Sequence, residues 1–233
     1  MAHARIIRFF AVPVIIIGIA ISGLASAAGG AGGNRHPVVP IRHVIFFIGD
    51  GMQMAHEVAA SRYLYGAGDG LEFHRFPLQL DVATWDVTTY NYWAKRRGEL
   101  PYDPNRILPW LGYNPGEGGT RPESLRKDGA NQGPRLAYLA AAATDSASAA
   151  TAWSTGFKTD DGNIAWLSGD PIDGALTTLA EQLRLEKGFA IGVVSTVPFS
   201  HATPAAHVSH NVDRDNYVAI AAEILRRFQP EVV

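Results

Sequence analysis

The sequence predicts an α/β fold: a three-layer sandwich whose mostly parallel central sheet is covered by helices on both faces. Three observations carry it. Short apolar, β-branched runs occur at His43–Ile48 (HVIFFI), Phe189–Ser195 (FAIGVVS) and Glu231–Val233. Segments with helical apolar spacing separate these runs. A strand, helix, strand, helix, strand order returns each strand parallel to the last by a crossover, which puts helices on both faces of the sheet.

The elements follow in chain order. Arg5 and Arg8 precede an apolar stretch over Phe9–Leu24, and Ala25-Ser26-Ala27 supplies small residues for cleavage. This is the layout of a secretory signal over residues 1–27. The stretch is shorter than the ~20 residues of a spanning helix, so no stable membrane span is expected after cleavage, and the protein is expected to be exported, periplasmic or secreted. Residues 28–40 are rich in Gly and Ala and form a flexible lead-in. Residues 41–233 are expected to form the N-terminal part of one domain. In it, HVIFFI is a buried parallel strand ended by Gly49-Asp50-Gly51, and Met52–Tyr65 is a helix. Leu71–Tyr90 alternates in part and suggests strands. Tyr92–Pro134 is rich in Pro, Gly, Arg and Asn, has no period, and suggests an insertion on the surface. A small-residue helix follows Thr144-Asp145-Ser146. Asp173–Glu186 is amphipathic, with Asp173 a candidate N-cap and Gly188 a stop. Arg214–Arg227 is a helix. Domains rarely end as a strand begins, so the sequence is expected to be part of a longer chain.

Composition narrows the functions. With 20 Lys and Arg against 22 Asp and Glu, the net charge is -2. Such a chain offers no basic field for a phosphate backbone, so nucleic acid is not an expected partner. It has no cysteine, which excludes disulfides, thiolate zinc sites and cysteine nucleophiles. Any metal would be held by Asp, Glu, His or hydroxyl groups, a donor set suited to zinc and magnesium.

Chemistry in α/β sheets collects at the carboxyl ends of strands, and three motifs fall at such ends. In Gly49-Asp50-Gly51-Met52, Asp50 is either a ligand brought close by the flanking glycines or the cap of a tight turn. In Thr144-Asp145-Ser146, the serine hydroxyl lies at a helix N-terminus, where backbone N–H groups stabilise an anion. The plainer alternative is a cap opening a buried helix. In Ser200-His201-Ala202-Thr203-Pro204, His201 and Thr203 suit one metal or its water shell, or simply a polar loop before a helix. Arg214 has the planar fork that grips phosphate, though Asp213 and Asp215 beside it are alternative partners. His207 and His210 have no expected role beyond structure.

Together, IGDGM, TDSASAATAWSTG and SHATPAA resemble the alkaline phosphatase family, over roughly Val44–Val233 apart from Tyr92–Pro134. The resemblance implies an alkaline-phosphatase-like fold and hydrolysis of phosphate monoesters through a phosphoserine intermediate, with two zinc ions and one magnesium ion. It implies that Ser146 is the nucleophile, its oxygen also a zinc ligand, and that Asp50 bridges that zinc and the magnesium. Arg214 would bind phosphate, oriented by Asp145, and Thr203 would ligate magnesium. His201 stands where the family has Asp or His. A homodimer is possible by the same resemblance. The family's other ligands lie in a later part of its chain, so these 233 residues alone are expected to be inactive or nearly so. The alternatives are an inactive metal- or phosphate-binding fragment, a phosphodiesterase, or a sulfatase; the last would want a Cys or Ser followed by x-Pro-x-Arg.

Overall fold

The structure, a computed structural model, describes residues 15–18, 42–79, 82–118, 136–141 and 143–233. Most of the expected leader with its cleavage site, the lead-in at 28–40 and residues 119–134 lie outside the described residues. The described residues up to Gln79 form one compact unit and those from Val82 on form a second.

In the first unit, β1 (Ile15–Gly18) pairs antiparallel with β2 (Phe46–Gly49), Ile16 opposite Ile48 and Ile17 opposite Phe47. This corrects the expected buried, parallel strand. An apolar run specifies a strand but not its partner, and a two-stranded pair leaves a face uncovered. Phe46 and Phe47 accordingly stay 42% and 54% exposed. The turn after β2 closes by a hydrogen bond from the Met52 N–H to the Gly49 carbonyl (3.1 Å), with Gly51 at φ 66°. Helix α1 (Met54–Tyr65) follows and stops at Gly66, φ 71°, in the left-handed region that favours glycine. Glu57 on α1 holds His74 of a 3-10 turn (Glu72–Arg75) at 3.2 Å.

The second unit begins with a correction. Asp86-Val87-Thr88-Thr89-Tyr90, expected as strand, opens helix α2 (Val87–Arg97). The Asp86 carboxylate accepts from the Thr89 N–H at 2.6 Å, and an N-cap of that kind overrides the strand preference of β-branched residues. The stretch from Tyr92, expected to be irregular surface chain, supplies part of α2, then α3 (Pro109–Gly112) and α4 (Pro115–Gly118). Its aromatic side chains build their own core with α5 (Leu136–Ala141). Tyr90 packs between Trp85 and Tyr102, with ring centroids 5.5 and 5.6 Å away. Tyr113 and Tyr138 are buried together, and the Tyr138 hydroxyl accepts from the Asn114 N–H at 2.6 Å. Composition gave no sign of this because the cluster is aromatic and has no helical or strand period.

The remaining helices are α6 (Ser146–Thr155), α7 (Leu179–Lys187), α8 (Ala202–Ala205) and α9 (Tyr217–Glu223), the last running into a π turn (Ile224–Phe228). Their shared core is largely small. Ala147 and Ala150 of α6 meet Ala202, Ala205 and Ala206, with Ile164, Val208, Ile220 and Ile224 filling the rest. Alanine faces let α6 and α8 approach closely.

Helix α7 starts later than expected, capped by Thr178 rather than Asp173. The Thr178 hydroxyl accepts from the Glu181 N–H at 3.2 Å, and the Thr178 N–H donates to the Glu181 carboxylate at 2.9 Å, a reciprocal capping box. The residues before it are extended: Leu176 donates to the Ala165 carbonyl at 2.8 Å, and Ala175 bridges to Trp166. Gly188 ends α7 as expected.

The expected parallel relation between FAIGVVS and the chain's last residues is present. Gly192 bridges parallel to Val232, with Val193 N–H to Val232 carbonyl at 2.9 Å and Glu231 N–H to Ile191 carbonyl at 2.8 Å. Ile191 and Val193 pack on the core while Val194 is 89% exposed, so the segment is buried on one face only. A wider parallel sheet is not formed among the described residues. No helix among them is long and apolar enough to cross a membrane.

His210 ties α7 to α9. Its Nδ1 lies 2.9 Å from Glu223, and its Nε2 lies 3.0 Å from the Leu176 carbonyl and 3.4 Å from Glu181. Both ring nitrogens therefore face acceptors, which requires the doubly protonated imidazolium. Burial opposes that charge, but the Glu223 hydrogen bond and the charges of Glu181 and Glu223 outweigh it and raise the pKa above its ordinary value. A raised histidine pKa stabilises the fold below the unfolded value near 6.5 and loses that contribution as pH climbs through the folded value. The contribution of His210, read as the melting temperature of the unsubstituted protein minus that of His210→Gln, is expected to shrink by on the order of 2–4 °C as pH rises from 6 to 9. A difference that does not change with pH would remove His210 from the explanation.

Candidate functional site

The site is built on the N-terminus of α6. Asp145 caps the helix: its carboxylate accepts from the Ala147 N–H at 3.0 Å, and its carbonyl accepts from the Ser148 hydroxyl at 3.1 Å. Ser146, half-buried, is then the first helical residue. The helix behind it is Ala, Ser and Thr, with Ala147, Ser148, Ala149, Ala150, Thr151 and Ser154 buried. Ala, the best helix former, and short hydroxyl residues make a thin helix that fits tightly between neighbours.

The Asp145 carboxylate has two further partners from distant chain. Its Oδ1 accepts from Nη1 of Arg214, and its Oδ2 accepts from the Gly162 N–H at 3.0 Å. Arg214 therefore pairs with Asp145 rather than with its neighbours. Asp213 and Asp215 serve local turns instead: Asp213 accepts from the Asp215 N–H at 2.9 Å, and Asp215 from the Tyr217 hydroxyl at 3.3 Å. The Arg214–Asp145 pair is mostly shielded, at 23% and 13% side-chain exposure, so solvent screens it less than a surface pair.

Residues 158–170 form a folded loop beneath this pair. The Thr159 carbonyl accepts from the Val87 N–H at 2.8 Å, and the Asp161 N–H donates to the Thr88 hydroxyl at 3.0 Å. Asn163, fully buried, donates its amide to the Thr159 hydroxyl and the Asp170 carboxylate at 3.0 and 2.7 Å. Thr151 of α6 is equally buried: its hydroxyl donates to the Asn163 carbonyl and accepts from the Ala165 N–H. Lys158 donates to the Trp85 carbonyl at 2.8 Å and lies 4.5 Å over that ring, and burial brings its pKa down to about 8. Asp161 has its pKa raised, first by burial and then by the Asp145 charge, with Arg214 opposing. The one signal available in the sequence was Asp160-Asp161-Gly162-Asn163, a turn-forming run shortly after the serine motif.

His201 caps α8, its ring stacked on Tyr217 with centroids 5.9 Å apart. Thr203 lies on α8, which packs on α6. The second unit thus holds Asp145, Ser146, His201, Thr203 and Arg214, while Asp50 belongs to the first unit, on the turn after β2. Among the described residues, no group of three or more His, Asp or Glu side chains is placed to hold a metal ion. The expected ligands in the second unit are two hydroxyls and one imidazole, with no carboxylate among them, too few for two zinc ions and a magnesium. The second unit alone therefore does not make up the implied set of metals. His207, four residues past Thr203, is half-buried, and the shielding of its ring from water lowers its pKa to about 4.

Residues 134–229 match the family model for alkaline phosphatase. The chain is 30% identical over 200 residues to streptomycin-6-phosphate phosphatase of Streptomyces griseus, covering 85% of this chain and 33% of that enzyme. It is 44% identical over 78 residues to alkaline phosphatase 3 of Bacillus subtilis, covering 34% of this chain and 16% of that protein. Against the alkaline phosphatase of Escherichia coli K12 it is 29% identical over 181 residues, covering 76% of this chain and 27% of the other. The chain thus spans a third or less of the length of these relatives. Among solved structures, a cold-active alkaline phosphatase from a psychrophilic Shewanella aligns at 43% identity over 39% of this chain and 21% of its own, with a TM-score of 0.35.

Proposed function

We propose, from the match of residues 134–229 to the alkaline phosphatase family model and the 30% identity to streptomycin-6-phosphate phosphatase, that this chain is part of an exported phosphatase of that family that hydrolyses phosphate monoesters through a phosphoserine at Ser146. One observation carries the reading. A single carboxylate, Asp145, both caps the helix that begins at Ser146 and holds Arg214. The hydroxyl and the guanidinium are thereby fixed relative to each other through one residue.

Arg214 grips two oxygens of the phosphoryl group with two parallel N–H donors. The N-terminus of α6 adds its partial positive charge toward the same anion. The Ser146 oxygen then loses its proton and forms a bond to phosphorus as the bond to the departing oxygen breaks, and that proton leaves on the alcohol. Water hydrolyses the phosphoserine, returning the serine and releasing inorganic phosphate. The two zinc ions and one magnesium implied by the resemblance would supply charge neutralisation and an activated oxygen. Residues 1–27 are proposed to be removed on export, and a homodimer is proposed by the same resemblance.

Arg214→Ala is the direct test. It removes the proposed phosphate grip while Asp145 keeps its cap contacts. The KM for an aryl phosphate and the Kd for inorganic phosphate are expected to rise by about tenfold or more, as for loss of a charge-assisted pair of hydrogen bonds. Some turnover should remain. Unaltered phosphate affinity would remove Arg214 from the site. Comparing aryl phosphate monoester, diester and sulfate ester as substrates checks the class, with the monoester expected to be preferred.

A further inference from the structure

Gly162 joins the two charged partners of the site through its own peptide groups. Its N–H donates to Oδ2 of Asp145 at 3.0 Å, and its carbonyl accepts from the Arg214 N–H at 2.9 Å. The side chain of Arg214 returns to Oδ1 of the same carboxylate. A closed ring results: carboxylate, Gly162 backbone, Arg214 backbone, guanidinium, carboxylate.

The ring is possible because Gly162 sits at φ 86°. Residues with a Cβ rarely adopt that conformation. Around it the chain is pinned. Asp161 donates to the Thr88 hydroxyl at 3.0 Å, and Ile164 and Asn211 exchange two hydrogen bonds of 2.8 Å each. A Cβ added at Gly162 would meet nothing within 4 Å. A substitution there acts on backbone conformation alone, without steric collision.

We infer that Gly162 is the positioning residue of the phosphate grip: its backbone sets the direction from which Arg214 leaves the loop, with Asp145 as the common reference. This rests on the proposed role of Arg214. Turning the peptide at residue 162 breaks at least one of its two hydrogen bonds. Arg214 can then keep its ion pair or its backbone anchor, but not both in the present geometry. The guanidinium edge away from Asp145 loses its fixed direction, and phosphate meets a mobile donor set.

The test is titration of the complete polypeptide with inorganic phosphate, followed by ³¹P NMR line broadening, with thermal melting recorded alongside. Gly162→Ala is expected to bind phosphate about tenfold more weakly, the ratio matching the cost of a left-handed conformation for alanine. Gly188→Ala is the matched control. It too has a positive φ, 65°, and open space at its Cβ, but it caps α7 and touches neither Asp145 nor Arg214. It should lose thermal stability yet stay within about twofold of the unsubstituted chain in phosphate affinity. Asn tolerates positive φ better than Ala, so Gly162→Asn should fold and bind about threefold more weakly, between Gly and Ala. If Gly162→Ala does not fold, the Asn variant decides, and affinity equal to the unsubstituted chain overturns the inference. Equal phosphate affinity in Gly162→Ala and Gly188→Ala overturns it too, while a loss in Arg214→Ala would leave the role of Arg214 standing. An unsubstituted chain that shows no phosphate binding overturns both.

Discussion

Ser146→Ala is expected to abolish covalent phosphorylation and to lower turnover of a phosphate monoester by at least about a thousandfold, the scale seen when a nucleophile is removed. The variant isolates chemistry from folding. Asp145, not Ser146, is the cap of α6, and alanine is a better helix former than serine. Melting recorded beside the assay separates loss of the chemistry from loss of the fold. The measurement is acid quench of the complete polypeptide after incubation with labelled phosphate, followed by mapping of the labelled peptide. Label that persists in Ser146→Ala, or that maps outside the α6 N-terminus, would end the assignment of Ser146 as nucleophile. A variant that melts far below the parent would show instead that the hydroxyl holds the helix.

The legible parts of this molecule are those set by local chemistry. Gly66 and Gly188 stop their helices because the next residue must turn left-handed. The Ala-Ser-Thr run after Asp145 forms a helix from its composition and its cap. Misreadings arose where two local signals competed. The β-branched Val87-Thr88-Thr89 favoured strand, but the Asp86 carboxylate took the Thr89 N–H and the chain turned helical. Leu176 has the right spacing for α7, but its N–H is used by the Ala165 carbonyl, so the helix waits for Thr178. Sequence alone left Arg214 with three candidate carboxylates, and long-range packing decided. Asp213 and Asp215 close their own turns, and Asp145 arrives from 69 residues away. The loop at 158–170 was invisible for the same reason: Asn163 and Thr159 matter through partners that only the folded chain supplies.

Asp145→Ala is expected to be the most destabilising single change at the site, by about 3 kcal/mol, for two separable reasons. The cap of α6 is lost, which costs about 1 kcal/mol. Arg214 is left with its charge shielded and unopposed, and the Gly162 N–H loses its acceptor. In a chain of this size the melting temperature should drop by about 6–12 °C. Arg214→Ala breaks the same ion pair from the other side, yet should cost less. Asp145 keeps the Ala147 and Gly162 N–H groups as donors, so its charge stays solvated by the protein. Asp145→Asn should fall between the two, since an amide oxygen can still cap the helix but no longer balances the guanidinium. Melting curves of the three variants, taken at one pH and salt concentration, give the order. Equal losses for Asp145→Ala and Arg214→Ala would mean that the ion pair alone accounts for Asp145, and that its cap and its Gly162 contact contribute nothing to the fold.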